Sequence, residues 1–169
     1  MSTIPESHRQ QAPRALRCAV LTVSDTRTLE TDRGGQAVVE HLERGGHAIV
    51  ARALVPDEPQ ALRETLGRWL TELDPHAILL TGGTGIGSRD LTWETLAEMY
   101  TKTLPGYGEL FRMLSYQEIG PAAMLSRATG GLVGSAVVLT MPGSPAAVKL
   151  AMEKLILPEL GHLVQQARS

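Results

Sequence analysis

The feature that most constrains this chain is the short apolar run Ala77-Ile78-Leu79-Leu80, which passes directly into Thr81-Gly82-Gly83-Thr84-Gly85 and, a few residues on, Arg89-Asp90. An apolar run of that length with no polar alternation suits a strand covered on both faces, and the glycines end it abruptly. A loop so poor in side chains lets backbone N–H groups approach a phosphate or carboxylate closely. Its spacing fits neither the phosphate loop ending in Gly-Lys-Ser/Thr nor the dinucleotide pattern G-x-G-x-x-G, because position 88 is Ser and no Lys follows. The alternative is a tight strand-to-helix turn that uses glycine only for its backbone angles.

The remaining pattern repeats this unit. Residues 18–23 read as a second buried strand running into Ser24-Asp25-Thr26, and residues 47–55 as a third ending at Pro56-Asp57. Helices are expected over 35–43, 58–73, 91–100 and 109–119. Asp57 is placed to cap the second of these, and Asp90 or Thr92 the third. Pro105-Gly106 and Gly120-Pro121 read as breaks, with a short helical turn over 122–125. Residues 127–133 and 136–140 read as a strand pair across Gly134-Ser135, the first an antiparallel edge strand. A last helix follows Met141-Pro142-Gly143-Ser144-Pro145, kinked or restarted at Pro158. Strands alternating with helices imply a three-layer α/β domain, with a mostly parallel sheet, helices on both faces and one antiparallel edge strand. Residues 1–15 show no periodic apolar face and read as a flexible tail, leaving 16–169 as a single domain.

Composition narrows the function classes. With 169 residues, 43% hydrophobic, the chain suits one domain that buries about two-thirds of its unfolded surface. A net charge of -2 argues against a nucleic-acid surface. The absence of a long apolar run argues against a membrane span, so the expected location is cytoplasmic. Cys18 is the only cysteine and the five histidines lack metal-site spacing, which excludes a cysteine- or histidine-based metal cluster.

In a parallel sheet, ligands bind outside the carboxyl ends of the strands. The loops predicted at that rim carry Ser24 and Asp25, Asp57, the glycine run with Asp90, and Pro142-Gly143-Ser144. Asp25, Asp57 and Asp90 could hold magnesium, which takes one or two carboxylates and completes its shell with water and phosphate oxygens. Each also has a turn or cap reading. Asp32 either favours the start of the next helix or reaches a polar ligand group. Ser144 is a helix cap or a phosphate contact. Glu109 and Arg112 sit on a helix whose apolar face, with Leu110, Phe111 and Leu114, reads as core or subunit contact.

These motifs together, LTVSD at 21–25, LVPDE at 54–58, TGGTGIGSRD at 81–90, PGYGELFRMLSYQEIG at 105–120, SRATGG at 126–131 and MPGSP at 141–145, resemble the MoaB/MogA family of molybdenum cofactor biosynthesis proteins, the MoaB branch in particular. The resemblance spans about residues 15–165. It implies a three-layer α/β fold and a molybdopterin adenylyltransferase that uses ATP and Mg²⁺ and releases pyrophosphate. A non-catalytic molybdopterin-binding or scaffold protein of the same pathway is the alternative. By motif, the family's catalytic aspartates fall on Asp57 and Asp90, which are also the expected Mg²⁺ ligands. Substrate contacts fall on Ser24, Asp25, Asp32, Thr81, Gly82, Gly83, Thr84, Gly85, Glu109, Pro142, Gly143 and Ser144. The resemblance further implies a homo-trimer or hexamer and hand-over of product to a metal-insertion protein. Gly34 departs from the pattern, since many relatives carry Ser there.

Overall fold

The computed structural model describes residues 15–169; the expected N-terminal tail lies, apart from Ala15, outside them. Six strands form one sheet in the order β2-β1-β3-β6-β5-β4. β1 (Arg17–Val23), β2 (Ala48–Val55), β3 (Ala77–Thr81) and β6 (Ala136–Met141) are mutually parallel. β5 (Gly130–Val133) and the two-residue β4 (Lys102–Thr103) complete the sheet antiparallel.

The central strands are apolar without alternation because each face meets a helical layer. On one side Cys18, Val20, Leu79, Val137, Leu139 and Met141 pack with α1 (Arg33–Arg44), α4 (Pro105–Ile119), α5 (Pro145–Ala151) and α6 (Leu157–Ala167). On the other, Ala19, Leu21, Val23, Ile78, Leu80 and Val138 pack with α2 (Pro59–Glu72) and α3 (Thr92–Met99). Period-2 alternation is thus present in the destinations of the side chains though absent from their polarity. Truncating any of these leucines or isoleucines to alanine would cost about 2–5 kcal/mol, since neither layer can close the gap.

Three local readings change. The antiparallel strand expected over 127–133 is shorter and lies inside the sheet; the edge is β4, whose brevity, exposure and Lys102 suit an edge that must not recruit another strand. Pro105 does not break the chain but opens α4 at its first turn, where a missing N–H costs nothing. The last helix is continuous: between α5 and α6 residues Met152–Ile156 form one π-type turn, and Leu157 N–H reaches back to Met152 O. Pro158, in the first turn of α6, cannot donate, so the ladder is already interrupted at that point.

Candidate functional site

Four parallel strands deliver their C-terminal loops to one rim, and the ladder extends slightly into those loops. Ser24 N–H donates to Val55 O at 2.9 Å and Gly82 N–H to Met141 O at 3.0 Å, so β1, β2, β3 and β6 hold the loop starts directly. Gly82 and Gly83 have φ of +91° and +64°. Angles alone do not explain them. A Cβ on Gly82 would run into the Val23 carbonyl, and one on Gly83 would overlap the Thr92 hydroxyl and lie 2.8 Å from Asp57 Oδ2. The glycines therefore serve close approach as well as the turn. With Gly82 N–H already used, the cradle's donors are the amides of residues 83–85, which make no hydrogen bond among the described residues.

One flank of the cradle is acidic. Asp57 is 6% exposed; its Oδ1 accepts from Leu91 N–H at 3.0 Å and Thr92 Oγ1 at 3.4 Å. Its Oδ2 is buried and accepts nothing among the described residues. Burial, more than the nearby charges of Asp90 and Asp25, raises the Asp57 pKa above the usual carboxylate range, while the Leu91 N–H opposes that rise. Asp90 Oδ2 accepts from Gly87 N–H at 2.9 Å and would stand 2.7 Å from a Cβ on Gly85. Two carboxylates separated by 32 intervening positions thus border the same bare stretch of backbone.

Neither acid is a helix cap, contrary to the local reading. The residue before α2 is Glu58 and that before α3 is Leu91, neither with a capping side chain. Asp25 differs again. Its Oδ1 accepts from Asp57 N–H at 3.0 Å and its Oδ2 from Arg89 Nε at 3.1 Å, so it braces the Asp57 loop. The Arg89 hydrogen bond first, then the Asp57 N–H, holds its carboxyl below the usual range.

No three acids, histidines or cysteines converge among the described residues. Asp57 Oδ2, buried and without a partner among the described residues, and Asp90 are oxygen donors of the kind magnesium takes, and the two do not make an all-protein cage.

The opposite flank is a cleft of about 290 Å³ lined by Thr22, Val23, Ser24, Thr26, Arg27, Gly82, Gly143 and Ser144. Ser24 Oγ accepts from the N–H groups of Thr26 and Arg27, and Ser144 caps α5 through Ala147 N–H. Thr81 is buried and donates to Pro142 O at 3.3 Å, tying the glycine loop to the MPGSP loop; Thr84 is buried as well. Asp32 stands apart from the open cleft. It is 1% exposed, caps α1 through Gly35 N–H at 2.8 Å, accepts from Thr22 Oγ1 at 2.6 Å and pairs with Arg52 at 3.5 Å. Gly34 packs against Gly143, whose carbonyl oxygen a Cβ would overlap, so that position faces backbone. Glu109 lies in another cavity, of about 250 Å³, shared with Trp93, Arg112 and the segment around Ala128.

Two arginines were not anticipated. Arg127, in the SRATGG segment, donates from Nε to Gly85 O at 2.7 Å and from Nη2 to Asp90 O at 2.6 Å, and pairs with Glu94. It clamps the end of the glycine loop at Gly85 to the backbone of Asp90. Arg27 lines the hydroxyl cleft and donates to Gly143 O at 3.2 Å. Its only signal in the sequence is its place just beyond the first strand-end loop.

The fold and its rim define an open α/β domain with a ligand cradle at the carboxyl ends of its parallel strands. The sequence of residues 19–162 matches the family described as a probable molybdopterin binding domain, and the chain belongs to that family. It is 50% identical over 164 residues to molybdenum cofactor biosynthesis protein B of Bacillus subtilis, covering 96% of each chain. The protein of that name from Bacillus cereus is 48% identical over 157 residues, covering 92% of this chain and 93% of the relative. Among solved structures, a molybdenum cofactor biosynthesis protein B superposes with a TM-score of 0.89 at 47% identity, over 94% of this chain and 99% of the other. The tungsten cofactor synthesizing protein MoaB of Pyrococcus furiosus gives 0.83 at 35% identity, over 94% and 100%. No helix among the described residues is long and apolar enough to cross a membrane.

Proposed function

We propose that this protein acts in molybdenum cofactor biosynthesis as a molybdopterin adenylyltransferase. In this reading an oxygen of the terminal phosphate of molybdopterin forms a bond to the α-phosphorus of ATP. The bond from that phosphorus to the bridging oxygen breaks, its electron pair leaves with pyrophosphate, and adenylylated molybdopterin results. The observation that carries the reading is Asp57 Oδ2, a buried carboxylate oxygen without a partner among the described residues, aimed at the cradle next to Asp90.

The chain's residues hold and align. The amides of residues 83–85 supply donors to phosphate oxygens, and the φ values of Gly82 and Gly83 shape the backbone that presents them. Asp57 and Asp90 would hold Mg²⁺ together with the nucleotide, and the ion would supply neutralisation of the charge that develops on departing pyrophosphate. Arg127 keeps Asp90 and Gly85 in register, and Asp25 with Arg89 keeps Asp57 in place. Ser24, Gly143 and Ser144 line the wall for the second substrate, while buried Thr81, bonded to Pro142 O, braces it from behind and Thr84 is buried within the glycine loop. Asp32 contributes by fixing the start of α1 behind that wall, and Glu109 belongs to the neighbouring cavity. No side-chain base is required, because a phosphate monoester with a second pKa of about 6 is already largely ionised at neutral pH.

The test is pyrophosphate release from molybdopterin, ATP and Mg²⁺ by wild type and Asp90→Asn side by side. Turnover by wild type that the variant loses, with pterin binding intact in both, supports the enzyme. Pterin binding without turnover in wild type would make the protein a binding or scaffold component instead. Self-association as a trimer or hexamer, with hand-over of the product to a metal-insertion protein, is part of this proposal; the exposed Leu110, Met113, Tyr116 and Ile119 on α4 are consistent with a subunit contact.

A further inference from the structure

The adenylyl-transfer reading requires two phosphorylated substrates to meet at one cradle, and the charge at the rim is divided. Asp57 and Asp90 lie on one flank, and both arginines there are already engaged: Arg89 by Asp25 at 3.1 Å, with Glu58 at 3.8 Å, and Arg127 by Glu94 and the carbonyls of Gly85 and Asp90. On the other flank Arg27 has no carboxylate partner among the described residues, and its one side-chain hydrogen bond goes to the Gly143 carbonyl. The cleft it lines contains no acidic side chain and offers the hydroxyls of Ser24, Thr26 and Ser144. A single guanidinium among hydroxyls and glycine backbone is the chemistry that recognises a phosphate monoester without a metal.

We infer that Arg27 is the phosphate-anchoring residue of this domain. It holds the terminal phosphate of the acceptor substrate in the cleft between Ser24 and Ser144, while the polyphosphate of the nucleotide occupies the acidic flank with its metal. This inference rests on the adenylyl-transfer reading for the identity of the two substrates, but the anion site itself does not.

The donor geometry supports the division. The bond to Gly143 O occupies Nη1 and holds the guanidinium in the lining of the cleft, leaving other N–H groups for an anion. Gly82 borders both flanks, since it lines the cleft and precedes Gly83, the residue that faces Asp57. A phosphate held by Arg27 would therefore sit beside the start of the cradle, where its oxygen can face the nucleotide's α-phosphorus.

The experiment uses the full chain and two variants, Arg27→Met, which keeps an apolar stem, and Arg27→Lys, which restores the charge without the fork. In EDTA, inorganic phosphate is titrated while the amide resonances of Gly82, Gly143 and Ser144 are followed. Wild type is expected to show saturable shifts, Arg27→Met to weaken binding by about 10- to 100-fold, and Arg27→Lys to recover part of the loss. In the adenylylation assay, Arg27→Met is expected to raise KM for molybdopterin with KM for ATP unchanged.

Equal phosphate binding by wild type and Arg27→Met would overturn the assignment, as would a rise in KM for ATP alone. Loss of binding in Arg27→Met with no recovery in Arg27→Lys would also count against it, because displacement of the Gly143 loop would then be the cause. If wild type shows no turnover, the adenylyl-transfer reading fails, and the phosphate titration still decides the anion site.

Discussion

Replacing Gly83 by alanine tests the central geometric claim, that the cradle is closed to side chains by Thr92 and Asp57. The backbone at this position is left-handed, with φ of +64°, which costs a non-glycine residue about 1–2 kcal/mol. A methyl group here would also overlap the Thr92 hydroxyl and press on Asp57 Oδ2 at 2.8 Å; Thr92 and Asp57 are both buried, and such overpacking adds about 1–3 kcal/mol. Gly46 supplies the control. Its φ is +81°, yet nothing lies within 4 Å of a Cβ built there, so Gly46→Ala bears the backbone cost alone. For a domain of this size, each kcal/mol is worth about 2–4 °C in Tm, which places Gly83→Ala on the order of 10 °C below wild type and Gly46→Ala roughly 4 °C below. Thermal unfolding followed by circular dichroism, with urea titration to check that the m-value is unchanged, gives both numbers. Equal losses in the two variants would refute the reasoning, since Thr92 and Asp57 would then not crowd the cradle.

Two further substitutions separate stability from chemistry. The folded-state pKa of Asp57 is raised, so its protonated form is the better accommodated one; the stability this contributes is present below the unfolded carboxylate pKa and lost as pH rises through the folded one. Asp57→Asn should therefore be more stable than wild type at neutral pH, with the advantage fading in acid, while pyrophosphate release is abolished; a stability deficit at pH 7 would contradict this. Asp32→Ala removes a buried cap and leaves Arg52 without its carboxylate, with only Gln36 to accept from it, an expected loss of about 2–4 kcal/mol in urea unfolding, and an unchanged midpoint would show that the cap is dispensable.

The sheet was readable in the sequence because β1, β3 and β6 are buried on both faces and so appear as uninterrupted apolar runs. β4 was not, since two exposed residues carry no periodic pattern and are strand only by pairing with β5. Pro105 misled because the same residue stops one helix and starts another, and local sequence does not say which. At the site, Ser24, Asp57, the glycine run and Gly143 were legible through their shared position after strands. The roles of the charged groups were not. Asp25 pairs across 64 positions with Arg89, and Arg127 reaches back 42 positions to Gly85; which charges face each other is a property of the fold that no window of sequence contains.

The widened turn at Met152–Ile156 has a consequence for the end of the chain. Met152, Ile156, Leu160 and Val164 are all buried and recur every fourth residue, a step longer than the 3.6 residues of a regular turn. Repeated along an ordinary helix, that step would walk the apolar stripe steadily around the cylinder; the π-turn unwinds part of the drift and returns the stripe to the sheet. The segment is a phase corrector, and excising one residue from it would rotate Leu160 and Val164 by about 100° toward solvent even though every hydrogen bond of a regular helix except the one Pro158 cannot donate became available.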